Sequence, residues 1–197
     1  MRFNKKGIRD IIKLIKACLL FWLYIPHIIL FSCDYGGAKS DVLRMRSKIA
    51  VRVSIGLSFL FLIHNNSYYR TLFYYRIGPV WAMLIGWYRP GDRYFQISYT
   101  SKIGRGMLIA HPYSTIINAE KIGDNFSCIH CTTLGDKDGG RPMLGNNVML
   151  GANVTIIGPV HIGNNVTIGA GSVVVKDVPD NCVVAGNPAK IIRRISE

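Results

Sequence analysis

The sequence predicts a mainly β fold of stacked short repeats over its second half, preceded by an α-helical region. Three observations carry this reading. Large aliphatic residues recur every six positions towards the C-terminus. Basic charge is concentrated in the first half, and long apolar runs accompany it. At 197 residues the chain has room for one ordinary domain and an appendage.

Leu144, Leu150, Ile156, Ile162, Ile168 and Val174 stand six apart. Val148, Val154, Val160, Val166 and Ser172 each follow one of them by four positions, and Gly145, Gly151, Gly163 and Gly169 follow directly. Neither a helix nor a single strand gives this period, whereas stacked repeats do. The phase extends backwards through Ile97, Ile103 and Ile109, then through Ile116, Ile122, Cys128 and Leu134. All of these are expected to point inward. The step of seven from Ile109 to Ile116 predicts a one-residue bulge. The step of ten from Leu134 to Leu144 predicts a loop at "DKDGGRP" (136–142), which is polar and turn-forming.

The first half reads differently. Residues 1–94 carry 15 Lys/Arg against 4 Asp/Glu, whereas residues 95–197 carry 9 against 7. Such asymmetry points to an anionic partner, either nucleic acid or an acidic membrane. "ACLLFWLYIPHIILFSC" (17–33), "SIGLSFLFLI" (54–63) and "PVWAMLIGWY" (79–88) are apolar runs between basic flanks. That context excludes a nucleic-acid binder and fits a membrane surface with anionic lipids. Ile8, Ile11, Ile12, Ile15 and Leu19 form one helical stripe, with Arg9, Lys13 and Lys16 off it. The run 17–33 is short for a span and is interrupted by Pro26 and His27, so a buried or re-entrant hairpin is expected. No A-x-A-like cleavage site follows it. Aromatic residues and arginines interleave over 68–95, which suits either the membrane interface or packing against the second half. Pro90-Gly91 marks a turn, and the boundary is placed between 1–94 and 95–197. Five scattered cysteines do not make a disulfide framework.

The six-residue pattern over about 95–194 resembles the hexapeptide-repeat acyltransferases. That resemblance implies a left-handed parallel β-helix with three hexapeptides per coil, against the usual handedness of crossovers. "IGAGSVVVKDVPDNCVVAGNPAKII" (168–192) and "KIGRGMLIAH" (102–111) resemble the serine acetyltransferase branch and its polysaccharide-modifying relatives. "YYRTLFYYRIG" (68–78) is similar to a segment of exopolysaccharide acetyltransferases.

The resemblance implies that His111 is a general base. It would take the proton from an acceptor hydroxyl, which then attacks the thioester of acetyl-CoA directly. A hydroxyl is a poor nucleophile near neutrality, and imidazole is matched to that proton transfer. His130 stands two residues after Cys128, as His111 stands two after Ile109. Both are expected at the same corner of adjacent coils, His130 either lining the site or standing as an exposed turn residue. The coenzyme is expected to lie along Gly151, Ala152, Gly169 and Ala170, where small residues permit close approach. The resemblance adds Lys176, Asn187, Pro188 and Ala189 to the donor site. Arg193 and Arg194 either meet its phosphates or form a solvated tail. A homotrimer is implied too, since the family's active sites lie between subunits.

The departures from the family point to the acceptor. Serine acetyltransferases carry an aspartate directly before this histidine, where Ala110 stands here. They have Arg-His-Pro after the loop, where Arg141-Pro142 stands here, and an upstream aspartate that "FQISYTSK" (95–102) lacks. A glycan or lipid-linked sugar of a bacterial surface polysaccharide is therefore expected as acceptor, at the cytoplasmic side of the inner membrane where acetyl-CoA is found. The alternatives are serine O-acetylation and a catalytically idle membrane-tethered scaffold. No metal is expected. "CIHC" (128–131) offers an inward Cys128 and too few ligands for a structural zinc site, and His161 falls on another face.

Overall fold

The computed structural model describes residues 5–195. The chain divides into two compact units, one ending at Gly91 and the other starting at Asp92.

The first unit is a helical bundle: α1 (Lys5–Leu19), α2 (Ile25–Ser32), α3 (Ala38–Met45), α4 (Ile55–Asn65), α5 (Ser67–Ile77) and α6 (Pro79–Gly86). Its helices start where capping chemistry places them. Ser54 accepts from the Leu57 amide at the start of α4, and Asn66 accepts from the Tyr69 amide at the start of α5. Prolines occupy the first turns of α2 and α6, where no amide donor is needed. Phe31 stacks on Phe59 with ring centroids 4.1 Å apart, and Phe59 meets Phe73 edge-on at 5.2 Å. Inside this apolar packing Arg76 Nε donates to Asp41 Oδ2 at 2.8 Å, and Arg76 Nη2 donates to Asp41 Oδ1 at 3.1 Å. The run 17–33 is not one helix: it crosses the break between the helical segments Lys5–Leu19 and Phe21–Ser32, which are bent by 75°. Tyr24, His27, Leu30 and Phe31 of that run are buried in the bundle. Among the described residues no single helix is long and apolar enough to cross a membrane.

The second unit is a parallel β-helix with three faces. The first face stacks Phe95–Ile97, Thr115–Ile117, Thr133–Gly135, Thr155–Ile157 and Val173–Val174. The second stacks Lys102–Ile103, Lys121–Ile122, Met143–Leu144 and His161–Ile162. The third stacks Leu108–Ile109, Ser127–Cys128, Met149–Leu150, Thr167–Ile168 and Cys182–Gly186, and is closed by the antiparallel strand Ala189–Arg194. Leu144 pairs with Ile162, and Ile168 with Leu150, a coil of 18 residues. Their side chains fill the bore, together with Val148, Val154, Val166 and Ser172.

Asparagine holds the turns. Asn125, Asn147, Asn165 and Asn181 all have φ between 54° and 61°, a left-handed conformation this residue tolerates. Their side chains form a ladder, each amide donating to the next at 2.8–3.0 Å. Lys137 and Gly140 exchange backbone hydrogen bonds at 3.0 Å and close the excursion expected at 136–142.

One inward assignment is corrected. Ile116 is 46% exposed, whereas Ile117 is fully buried and pairs with Leu134. The corner between Ile109 and Ile117 therefore holds two extra residues rather than one, and the corner between Ile117 and Ile122 is one residue shorter. Counting from Ile109 to Cys128 cannot separate these two changes, because only their sum appears in the spacing.

Candidate active site

The third face ends at a corner where a left-handed residue turns the chain onto the first face. Those residues are Ser114 (φ 53°), Cys131 (φ 58°), Asn153 (φ 57°) and Gly171 (φ 71°) in successive coils. The Cys131 amide donates to the Tyr113 carbonyl at 2.8 Å, Asn153 to His130 at 3.0 Å and Gly171 to Ala152 at 2.8 Å. The corner is thus a column of Tyr113, His130, Ala152 and Ala170. Tyr113, not His111, holds the backbone position in register with His130, which corrects the expected pairing of the two histidines.

His111 stands in the two-residue insertion. Its φ of 49° is left-handed, uncommon for a residue with a Cβ and a mark of local constraint. Pro112 is buried beneath the loop. The Tyr113 amide donates to the His111 carbonyl at 2.7 Å, closing a tight turn around that proline. His111 and Tyr113 are both left exposed. The imidazole has no hydrogen-bonding partner among the described residues. Tyr94 stands just before the first strand, and its carbonyl accepts from the Thr115 amide at 2.9 Å. Its ring lies 5.0 Å from that of Tyr113, tilted by 46°, and the two residues are 59% and 52% exposed. A half-exposed aromatic ledge therefore adjoins the histidine corner. In the sequence Tyr94 falls among the aromatics of 68–95, because nothing local shows that the coil brings it to Tyr113.

The remaining candidates divide. Gly186 follows Ala170 in the column, since Val184 pairs with Ile168. Asn187 and Pro188 form the hairpin tip at this corner, and Ala189 opens the returning strand opposite Gly186. Lys176 lies away from the column, across the first face, where it lines a groove of about 450 Å³ with Thr155, Ile157 and Val173. Arg193 and Arg194 are exposed on the last strand, in register with Val183 and Cys182. Gly151 and Gly169 answer to coil stacking. A Cβ on Gly151 would lie 2.7 Å from the Ala170 amide nitrogen, and one on Gly169 would lie 3.0 Å from Ala185 Cβ. Arg141 is tied by Nη1 to Thr100 Oγ1 at 2.7 Å and to Asn118 Oδ1 at 3.3 Å. Burial pushes the Cys128 thiol up to about 12, so it stays protonated as a small core residue. No group of three or more His, Cys, Asp or Glu side chains among the described residues could hold a metal ion.

Residues 141–176 match the family model "Bacterial transferase hexapeptide (six repeats)". Two solved serine acetyltransferases share the fold. The enzyme from Vibrio cholerae has a TM-score of 0.66 and 27% identity, covering 82% of this chain and 66% of that one. The enzyme from Brucella abortus has a TM-score of 0.65 and 22% identity, covering 85% and 73%. The second unit shares the hexapeptide β-helix fold of these serine acetyltransferases.

Curated relatives of this hexapeptide β-helix fall on both sides of the acceptor question. Serine acetyltransferase 2 of Arabidopsis thaliana is 44% identical over 102 residues, 49% of this chain and 32% of that protein. The putative colanic acid biosynthesis acetyltransferase WcaB of Escherichia coli K12 is 44% identical over 101 residues, 49% of this chain and 62% of that protein. The chain thus spans about a third of the plant enzyme's length and under two thirds of WcaB's.

Proposed function

We propose that this chain is an acetyl-CoA-dependent O-acetyltransferase that modifies a sugar hydroxyl of a bacterial surface-polysaccharide precursor, with His111 as general base. The observation that carries the reading is His111 itself, exposed on a two-residue insertion at a corner shared with His130. The imidazole takes the acceptor proton as the hydroxyl oxygen bonds to the thioester carbonyl carbon. The tetrahedral oxyanion is met by a hydrogen-bond donor, the role given to His130 or to a backbone amide. The intermediate then collapses, the carbon–sulfur bond breaks, and the imidazolium returns the proton to the departing thiolate.

Ala152, Ala170, Asn187 and Pro188 lie on the same corner in later coils and form the donor side, with Ala189 beside them. Lys176 would meet the coenzyme across the first face. The sugar assignment is supported by Ala110 in place of an acid and by the Tyr94–Tyr113 ledge. A pyranose presents an apolar C–H face that packs on aromatic rings, and free serine has none. A homotrimer belongs to the proposal and would set a neighbouring subunit's coil against this corner.

The test is release of coenzyme A from acetyl-CoA with oligosaccharide fragments or L-serine as acceptor, for wild type and His111→Ala. Acetyl transfer to the sugar alone supports the reading. Transfer to serine moves the chain to serine O-acetylation, the activity named for the Arabidopsis relative. Equal activity from both proteins overturns the base assignment, and activity from neither leaves the scaffold.

A further inference from the structure

The outer face of the helical unit carries an apolar surface that the bundle does not use. Helix α1 turns Gly7, Asp10 and Ala17 to the inside. Its hydrophobic stripe points the other way: Ile8, Ile12 and Ile15 are about half exposed, and Leu19 is 72% exposed. This inverts the usual arrangement, in which the apolar stripe of a surface helix faces the core. The surface continues past the helix end through Phe21 and Trp22. The Tyr88 hydroxyl donates to the Leu23 carbonyl, and the Trp87 ring meets the Tyr88 ring at 5.4 Å. The end of α6 is thereby joined to this turn. There Met83 and Trp87 are 72% and 79% exposed. A groove of about 600 Å³, lined in part by Cys18, Phe21, Ile28 and Leu57, opens beside it.

Exposed apolar area of this extent marks an interaction surface, and its charge names the partner. Lys5, Arg9 and Lys16 are exposed along one edge of the α1 stripe. Basic residues beside a large apolar face, with tryptophan at the rim, fit the boundary between headgroups and acyl chains of an anionic bilayer. We propose that this face docks in the plane of an anionic membrane surface. α1 lies in the headgroup layer, the rings of Trp22 and Trp87 insert, and the buried part of α2 stays in the bundle. A second copy of the chain is the competing occupant, but the basic edge would then face itself.

The proposal goes beyond the acetyl-transfer reading and has a readout independent of it. Trp22, Trp81 and Trp87 are the chain's three tryptophans, all in this unit and all exposed. Adding phosphatidylglycerol–phosphatidylcholine vesicles to the full chain should shift tryptophan emission to the blue, and brominated acyl chains should quench it. Pure phosphatidylcholine and raised salt should weaken both effects. Ile12→Glu with Ile15→Glu should lower vesicle affinity by about a hundredfold, with an unchanged circular dichroism melt because both positions are exposed. Each of Arg9→Gln and Lys16→Gln should cost roughly fivefold on the anionic vesicles. An unshifted emission spectrum overturns the proposal. So does oligomerisation, seen by sedimentation, that the isoleucine variants abolish while vesicle binding stays absent.

Discussion

The amide of Cys131 donates to the carbonyl of Tyr113 at 2.8 Å, so Tyr113 takes the place above His130 that the six-residue count gave to His111. The displaced histidine is pushed out of the coil, while Pro112 beside it is buried. Replacing His111 by alanine should lower turnover by roughly 10²–10⁴-fold, and His130→Ala should lower it less. Both should leave the melt unchanged, since both residues are exposed at a turn. Coenzyme A release under saturating substrate is the measurement.

The ring pair Tyr94–Tyr113 should affect the acceptor and not the donor. Tyr113→Ala should raise the acceptor KM about three- to tenfold, the worth of one aromatic contact, with the acetyl-CoA KM unchanged. Tyr113→Phe should keep most of the wild-type value. A change confined to the acetyl-CoA KM would place the ledge on the donor side instead.

Coil stacking fixes Gly151. A methyl there would meet backbone atoms of the next coil, the Ala170 amide nitrogen at 2.7 Å and Ala170 Cα at 3.0 Å. Gly151→Ala should therefore destabilise the β-helix by about 1–3 kcal/mol through overpacking. Chemical denaturation followed by far-ultraviolet circular dichroism would show it.

In the helical unit the Asp41–Arg76 pair is almost fully removed from water, with side chains 1% and 2% exposed. Asp41→Asn leaves a buried guanidinium without its counter-charge. The loss should be about 3–5 kcal/mol, read as a lower denaturant midpoint. Replacing both residues by apolar ones of similar volume should recover much of it.

Acid should loosen the same unit. His27 is fully buried, with Nε2 3.1 Å from the Tyr74 hydroxyl, which itself donates to the Arg89 carbonyl at 2.6 Å. Burial first, and the Arg70 charge second, lower its pKa from 6.5 to about 4. The unfolded chain therefore binds the proton more readily than the folded one. The neutral ring's contribution is complete above pH 6.5 and is lost as pH falls towards about 4. That is on the order of 3 kcal/mol. The His64 pKa is also lowered, by burial and then by Arg89, Arg70 and Lys16, and acts in the same direction. Melting temperatures across this window should fall for wild type and fall less for His27→Gln.

By itself the sequence determined the β-helix, because a six-residue period is local information repeated many times. Leu144 through Val174 each take the inward place their spacing assigns, and the excursion at 136–142 follows from turn-forming residues. The stripe of α1 was equally legible as a stripe. Which way it faces is set by how the bundle packs. Periodicity gives the arc of a helix but not what packs on it, and Asp10 and Ala17 turned inward leave Ile8, Ile12 and Ile15 outside. The histidine corner shows the same division. The chain marks His111 by its apolar surroundings, but an insertion at one corner and a deletion at the next cancel in part when counted along it. Hydrogen bonds between coils separate the two. Only the stacked structure therefore exposes Ile116, sets Tyr113 over His130 and brings Tyr94 to Tyr113 across 19 residues of chain.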